Sequence, residues 1–232
     1  DISVGSVVAM VCMMLAWMME RGNIGAFPAI LIVLVTGCIF GLVQGFLVAY
    51  LKIQPFIVTL ATMLMGRGLT YTLLKAQTKG PLPTSYTYIG AGFLPTMKIP
   101  FGNGTLDVVS IIVAGIATVL VIMAELKSIN TKKKYGFPIN PLWQIIIKEA
   151  VILMIVWFFF YKLSRYNGIP FVLVIMGVLV GLYHFITSKT VAGRQIYALG
   201  GNAKAAKLSG INTEKVFFWV YTNMGILSAI AG

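Results

Sequence analysis

Few side chains in this sequence have the types and spacing that catalysis requires. The signatures H-E-x-x-H, G-x-S-x-G and G-x-x-x-x-G-K-[ST] are absent, so no zinc hydrolase, serine nucleophile or phosphate-binding loop is indicated. His184 is the single histidine, and Cys12 and Cys38 fall inside apolar runs without neighbouring metal ligands. We therefore expect a chain that is not an enzyme and that carries no metal, no disulfide and no cofactor of its own.

Uncharged polar groups offer a better candidate site. Segment 44–62 joins two apolar runs, and Pro55 suits the first position of a helix, where its missing N–H is not needed. Hydroxyl, amide and aromatic groups suit a neutral, polyhydroxylated solute, and the candidate pathway residues are Ser3, Gln44, Phe56, Thr59 and Thr62. The alternative is that the hydroxyls only hydrogen-bond to carbonyls of their own helices.

A second candidate site is the segment 188–215. Asn202 is a good helix N-cap and Gly210 can adopt the left-handed conformation after a helix, which predicts about two helical turns between them. So short a helix is marginal in water and needs support. Its small side chains predict docking into a groove of a partner protein, whereas the alternative is a helix that rests on anionic headgroups. The expected contact residues are Gly200, Gly201, Asn202, Ala205, Ala206, Leu208, Ser209 and Gly210.

Composition indicates the solvent that surrounds these elements. Of 232 residues, 59% are hydrophobic and 10% are charged, and the mean hydropathy is +0.92. A soluble domain carries about 25% charged residues, so lipid must cover part of this chain. The net charge of +12 fits lipid headgroups and membrane orientation, because the basic residues lie mostly between apolar runs. Binding to nucleic acid is therefore not expected.

Seven apolar runs approach the length of about 20 residues that a membrane-spanning helix needs. They cover residues 2–19, 27–51, 56–74, 108–124, 145–161, 169–187 and 216–232. Since each run is continuously apolar rather than alternating, we predict an all-α, polytopic transmembrane helical bundle of about seven spans, the last one truncated. The whole chain, 1–232, is expected to be part of a single transmembrane domain of a longer protein.

The distribution of lysine and arginine predicts the orientation of the loops. The loops 52–55, 125–148 (with its basic segment 125–144) and 188–215 hold 11 of the 18 basic residues, Lys52 among them, and are expected in the cytoplasm. The 75–107 loop is then extracytoplasmic. Arg67 lies roughly 18 Å along its run from Pro55 at helical rise. It is therefore either a functional intramembrane cation or a side chain that reaches the membrane surface.

Glycines recur at intervals of four residues in two runs. Gly37, Gly41 and Gly45 lie on one helical face, and Gly177 and Gly181 repeat the pattern. Small residues in this arrangement let a second helix approach closely, so we predict helix packing at both places.

Three separated motifs resemble those of the ribose/xylose-type ABC permeases. Segment 194–202 followed by 205–211 is similar to the cytoplasmic coupling loop of that family, and segment 1–6, Asp-Ile-Ser-Val-Gly-Ser, is similar to its D-[LI]-S-V-G-S motif. Segments 47–52, 55–60 and 67–68 resemble its middle section. The longer stretch 108–163 is more like the xylose and multiple-sugar branch, and Gln44 stands where the family usually has Asn.

The resemblance implies a function and a set of partners. It implies a permease for monosaccharide import across the bacterial cytoplasmic (inner) membrane, with two copies forming a homodimeric pore. An extracytoplasmic sugar-binding protein would deliver the sugar, and a separate ATPase subunit would bind ATP and engage the coupling loop. A branched-chain amino-acid permease, an ion-coupled transporter and a non-transporting scaffold remain the alternatives, and the identity of the sugar stays open.

Overall fold

A computed structural model describes residues 1–22, 24–75, 77, 80, 82–101, 104–138 and 141–232. Across these residues, the helices and strands follow the chain in this order: α1 (Val4–Arg21), α2 (Ala26–Ala49), α3 (Pro55–Leu74), α4 (Thr84–Ala91), β1 (Lys98–Phe101), β2 (Gly104–Asp107), α5 (Val108–Lys134), α6 (Leu142–Arg165), α7 (Phe171–Lys189), α8 (Val191–Gly201), α9 (Ala203–Leu208) and α10 (Thr213–Ala231). All seven apolar runs form helices, which confirms the predicted helical class. Two compact units can be distinguished, residues 1–87 with 179–232, and residues 88–178.

The first unit is organised around α1. This helix contacts α2, α3 and α10, and it supplies most of the largest buried apolar cluster. The cluster consists of Val7, Met10, Val11, Leu15, Met18, Met19, Ala29, Val33 and Ala229. The cluster members come from α1, α2 and α10, and burying that many methyl and methylene groups is the main favourable term that holds these three helices together.

The second unit is organised around the start of α5. Asp107 is buried and caps the helix, because its carboxylate accepts hydrogen bonds from the backbone N–H groups of Val109 and Ser110. β1 and β2 pair antiparallel with Lys98 opposite Asp107, and the Ser164 hydroxyl of α6 accepts from the Asp107 N–H at 2.7 Å. The hairpin, α5 and α6 therefore meet at one aspartate.

Gly168 is required at that junction for two reasons. Its φ of +85° is a conformation that side-chain-bearing residues rarely adopt. An added Cβ would also lie 2.7 Å from the Thr96 methyl group and 3.0 Å from a carboxylate oxygen of Asp107. Only glycine lets the chain leave α6 beside the buried cap.

The predicted count of about seven spans is wrong by the criteria of length and composition. Five helices in the described part of the chain are long and apolar enough to cross a membrane, namely α2, α3, α5, α6 and α7. The apolar part of α1 is shorter, at Val4–Glu20. The first turn of α10 carries Glu214 and Lys215 and its middle carries Thr222 and Asn223, so these polar side chains lower its hydropathy below that of a typical membrane span.

Two predicted loops contain more regular structure than expected. The 75–107 segment holds α4 and the β1–β2 hairpin rather than an irregular cap, and its residues 76, 78, 79, 81, 102 and 103 lie outside the described part. Within 125–144, α5 continues to Lys134, and residues 139 and 140 lie outside the described part. α5 continues through the basic segment because lysine is a good helix former. The 75–107 segment contains a hairpin because turn residues connect paired strands as well as irregular loops.

Candidate functional site

The side chains of Ser3 and Gln44 meet in the interior of the first unit. The Gln44 Nε2 donates to the Ser3 hydroxyl oxygen at 2.8 Å, and the Ser3 hydroxyl donates to an Asp1 carboxylate oxygen at 2.7 Å. Only 1% of Ser3 and 3% of Gln44 is exposed. A polar contact thus joins the start of α1 to α2. Each of its two buried side chains has a hydrogen-bond partner in otherwise apolar surroundings.

A cavity of about 300 Å³ lies between α2 and α3, and Gln44 forms part of its wall. Thr62 is the second polar lining residue. The remaining lining residues are apolar: Ile39, Phe40, Val43, Leu47, Ile53, Ile57, Val58, Ala61 and Met65. This volume is near the lower end of the roughly 300–1,000 Å³ typical of small-molecule sites, where a few polar groups orient the ligand against apolar walls.

The structure brings together only part of the predicted pathway set. Gln44 and Thr62 line the cavity and Ser3 holds Gln44, whereas Thr59 is buried but is not a lining residue. Phe56 is 56% exposed and does not line the cavity either. Positions three residues apart on a helix are close but still differ in direction by about 60° at 100° per residue, which separates Thr59 from Thr62.

The threonine hydroxyls also hydrogen-bond to carbonyls of their own helix, as the alternative interpretation predicted. Thr62 donates to the Val58 carbonyl at 2.9 Å, and Thr59 donates to the Phe56 carbonyl at 3.4 Å. The Thr62 oxygen nevertheless keeps lone pairs that can accept a hydrogen bond from a solute hydroxyl. Thr62 is buried, however, and the exposed wall of the cavity is almost entirely apolar, so this oxygen is largely covered in the present conformation.

The glycine face of α2 lies directly against α10. A Cβ at Gly41 would come within 2.7 Å of the Thr222 carbonyl oxygen, and one at Gly45 within 2.7 Å of the Phe218 carbonyl oxygen. Gly37 faces Gly225 and Ala229 in the same way. Close backbone approach along the α2–α10 pair therefore depends on these glycines.

The second predicted glycine face has no such neighbour. In the described part of the chain, nothing lies within 4 Å of a Cβ built at Gly177 or at Gly181. Within the described residues, α7 leaves that side uncovered, and the helix packing predicted there stays a prediction.

The two ionisable residues singled out in the sequence, Arg67 and His184, lie on the surface. Glu149 is partly buried on α6. Among the described residues, no group of three or more His, Cys, Asp or Glu side chains could hold a metal ion. None of the three ionisable side chains lines the cavity.

The predicted short helix is present as α9. Its N-cap is Asn202, whose side-chain oxygen accepts from the Ala205 N–H at 3.0 Å, and Gly210 has a φ of +81°. Leu208 is 90% exposed, whereas Ala206 is only 3% exposed. The other six residues predicted to contact a partner are all exposed. The outward face of α9 therefore includes Ala205 and Leu208, and Ala206 faces its own chain.

An ion pair connects this region to the α2–α3 turn. Lys52, which has a φ of +57°, contacts the Glu214 carboxylate at 2.5 Å, next to the start of α10. The hydrogen bond and the charge of Lys52 lower the pKa of Glu214 below its ordinary value, and the charge of Lys207 acts in the same direction. Sequence reasoning placed Lys52 only among the basic residues of a loop, because its partner lies 162 positions away.

A second contact missed by sequence reasoning joins α7 to α10. The Tyr183 hydroxyl donates to the Asn223 side-chain oxygen. The sequence signal was Asn223 itself, an amide in the middle of an apolar run, where an unpaired polar group would be costly.

Comparison with known proteins assigns the chain to a family. The family described as branched-chain amino acid transport system / permease component matches residues 1–232, and the chain belongs to it. The chain is 37% identical to the xylose transport system permease protein of Haemophilus influenzae over 84% of this chain and 49% of that protein. It is 29% identical to the xylose transport system permease protein of Escherichia coli K12, over 100% of this chain and 56% of that protein.

A ribose relative is also similar along the whole chain. The ribose import permease protein of Haemophilus influenzae is 29% identical, over 100% of this chain and 50% of that protein. The chain spans about half the length of the curated relatives it matches. No solved structure matches it.

Proposed function

We propose that this chain is part of the membrane-spanning permease subunit of an ATP-driven importer that moves a monosaccharide, of the xylose kind, across the cytoplasmic membrane. The observation that carries the proposal is the form of α9. It is capped at both ends, is exposed except at Ala206, and follows directly on α8 in the segment that resembles a coupling loop. The names of the xylose and ribose relatives support the choice of substrate class.

The cavity between α2 and α3 suits a neutral solute. Its lining includes the Gln44 amide and the Thr62 hydroxyl and carries no charged side chain. Nearly all of the exposed wall is apolar, so a sugar would place its C–H face on it and would reach the Gln44 amide and the Thr62 hydroxyl only after these side chains turn toward the cavity. Charged solutes would lose hydration there without an opposite charge to compensate.

The partners follow from the same proposal. A separate ATPase subunit would receive α9 in a groove, and ATP binding and hydrolysis would move the helix as a rigid body. A second copy of the permease would complete the pore, and an extracytoplasmic binding protein would deliver the sugar. Segments 125–144 and 188–215 are then cytoplasmic, and 75–107 faces the other side.

The test is transport by the full-length protein together with its neighbouring subunits in proteoliposomes. We expect ATPase activity that rises with the sugar-loaded binding protein, and ATP-dependent uptake of labelled xylose or a related monosaccharide. Uptake that follows an ion gradient without ATP would overturn the proposal in favour of an ion-coupled carrier.

The family description gives branched-chain amino acids as the second candidate substrate class. An amino acid carries a carboxylate and an ammonium group, and the cavity lining offers no charge to either. We therefore expect labelled leucine to be transported poorly by the same proteoliposomes. ATP-dependent leucine uptake without sugar uptake would establish the amino-acid alternative.

A further inference from the structure

The helix α5 is longer than a membrane requires. Its 27 residues span about 40 Å at 1.5 Å per residue, whereas the hydrocarbon core of a bilayer is about 30 Å thick. Lys127, Lys132, Lys133 and Lys134 all lie in its last eight residues. Because charged side chains avoid hydrocarbon, this end of α5 is the part that extends into the headgroup layer.

One face of this end is an open strip of side chains from a single helix with shallow depressions between them, which we call the basic groove. Its lining residues follow the helical repeat and are Met123, Leu126, Lys127, Asn130, Thr131 and Lys134. The order along the helix is apolar first and polar last. That gradient matches a phospholipid, whose acyl chain would lie on Met123 and Leu126 and whose phosphate would lie near Lys127 and Lys134.

In the part of the chain that the structure describes, neither Lys127 nor Lys134 forms an ion pair with an acid. Glu125 is the acidic residue immediately before the groove lysines, and its carboxylate is held by Lys148 of α6 at 2.6 Å. From 126 to 148 the sequence contains no Asp or Glu. Thr131 donates its hydroxyl to the Lys127 carbonyl, so the groove offers an anion mainly ammonium and amide donors.

Exposed aromatic side chains follow the groove. Tyr135, Phe137 and Trp143 expose most of their surface between the end of α5 and the start of α6, and the Lys134 ammonium lies 6.0 Å from the Tyr135 ring centre. Aromatic rings concentrate at the level of the headgroups. An acidic protein would also suit the lysines, but the apolar half of the groove and the aromatic residues favour a lipid.

We propose that this basic groove, residues 123–134 of α5, binds the headgroup of an anionic phospholipid, such as phosphatidylglycerol, and so anchors the α5–α6 hairpin at the membrane surface. The attraction is electrostatic and weakens with salt, since exposed charges are screened over about 10 Å at 0.1 M ionic strength. The proposal is independent of the transported solute.

The test uses the full-length protein in detergent with equal amounts of phosphatidylglycerol and phosphatidylcholine of identical acyl chains, and native mass spectrometry to count bound lipids. We expect phosphatidylglycerol adducts to dominate. In the double variant Lys127→Gln/Lys134→Gln, the affinity for phosphatidylglycerol should fall roughly tenfold or more, because each lysine contributes about 1 kcal/mol to the binding of an anionic lipid. The matched control Lys162→Gln/Arg165→Gln removes two positive charges at the other end of α6 and should retain the preference.

Three results would overturn the proposal. The first is equal binding of the two lipids, and the second is an unchanged preference for phosphatidylglycerol in the Lys127/Lys134 variant. The third is release of the lipid by millimolar inorganic phosphate, which would indicate a site for free phosphate. Photo-crosslinking of the unmodified protein with a diazirine phosphatidylglycerol gives a second readout that needs no variant. Crosslinks are expected within 123–138, and crosslinks confined to other segments, or to a copurified acidic protein, would contradict the assignment.

Discussion

Lys52 and Glu214, 162 positions apart in sequence, form an ion pair 2.5 Å long that joins the α2–α3 turn to the start of α10. Lys52 follows the helix that carries Gln44, and Glu214 lies six residues after the end of α9. The pair therefore connects the start of α10 with the turn beside the cavity. We predict that it helps to pass a displacement of α9 to that turn.

Reversal of the ion pair tests its role. Glu214→Lys alone should reduce sugar-stimulated ATPase activity and uptake several-fold, because two like charges then repel across the junction. The charge-swapped double variant Lys52→Glu/Glu214→Lys should recover most of the loss. If the single variant transports normally, or if the double variant is no better than the single one, the pair has no role in coupling.

The stabilisation that the Lys52–Glu214 pair provides should decrease as the pH falls. Lys52 lowers the pKa of Glu214 below the ordinary value of 4.5. The stabilisation is therefore fully present above pH 4.5 and is lost as the pH falls through the lowered folded-state pKa. Little change in melting temperature is expected from Glu214→Gln at pH 7, since both side chains are well solvated.

Replacement of Gly41 by alanine should destabilise the α2–α10 pair. The new methyl group would lie 2.7 Å from the Thr222 carbonyl oxygen and 2.8 Å from that of Tyr221, so backbone atoms must move apart. We expect a loss of about 1–3 kcal/mol in the free energy of unfolding, measured by thermal denaturation in detergent. Gly177→Ala is the matched control, because its methyl group meets nothing, and it should be neutral or slightly stabilising. Equal effects of the two substitutions would contradict the assignment of α10 as the partner of this face.

Gln44 and Thr62 should control the apparent affinity for sugar. Gln44→Leu removes the amide from the cavity wall, and Thr62→Val removes the hydroxyl with little change in shape. Each lost hydrogen bond costs about 0.5–1.5 kcal/mol, so the sugar concentration for half-maximal uptake should rise roughly 2- to 10-fold. Thr59→Val is the control, since Thr59 is buried on the same helix but does not line the cavity. Should Thr59→Val weaken uptake as much as Thr62→Val, the solute path lies elsewhere.

The exposed side of α9 should be the side that contacts the ATPase. Leu208→Asp places a charge on a fully accessible position and should abolish copurification of the ATPase and transport, with membrane insertion intact. Val191→Asp introduces the same charge at an exposed position in the first turn of α8, where acids are favourable, and should be tolerated. Ala206→Glu is a poor probe, because a buried position would disturb the local structure of α9 itself. Retained ATPase binding in Leu208→Asp would refute the docking assignment.

Asp107→Asn should destabilise the second unit in a manner that depends on pH. Burial raises the pKa of the Asp107 carboxyl, but hydrogen bonds from Ser110, Val109 and Met97 together lower it below the ordinary value of 3.8. The cap therefore stabilises the fold above pH 3.8, and this contribution is lost as the pH falls through the folded-state pKa. We expect the variant to be less stable by about 1–3 kcal/mol at pH 7, because its amide has one acceptor oxygen and turns an NH2 group toward donors that now bind the carboxylate. The difference from wild type should narrow in acid, as measured by hydrogen exchange of the α5 amides. A constant difference across that pH range would contradict the role of the charged cap.

Local chemistry in the sequence was sufficient for several elements. Pro55 begins α3, Asn202 caps α9 and Gly210 takes a left-handed conformation, because each depends on backbone geometry within a few residues. The continuous apolar runs likewise predict helices, since backbone groups in lipid must be paired within their own segment.

Only the tertiary structure decided which residues meet. Gly41 lies against α10, whereas Gly177 has no neighbour within 4 Å among the described residues. Thr62 lines the cavity whereas Thr59 does not, and Lys52 pairs with Glu214. Periodicity predicts that residues share a face, but the neighbour opposite that face is chosen by the summed packing of helices distant in sequence. No local pattern contains that information, because contact between two helices depends on the side chains of both.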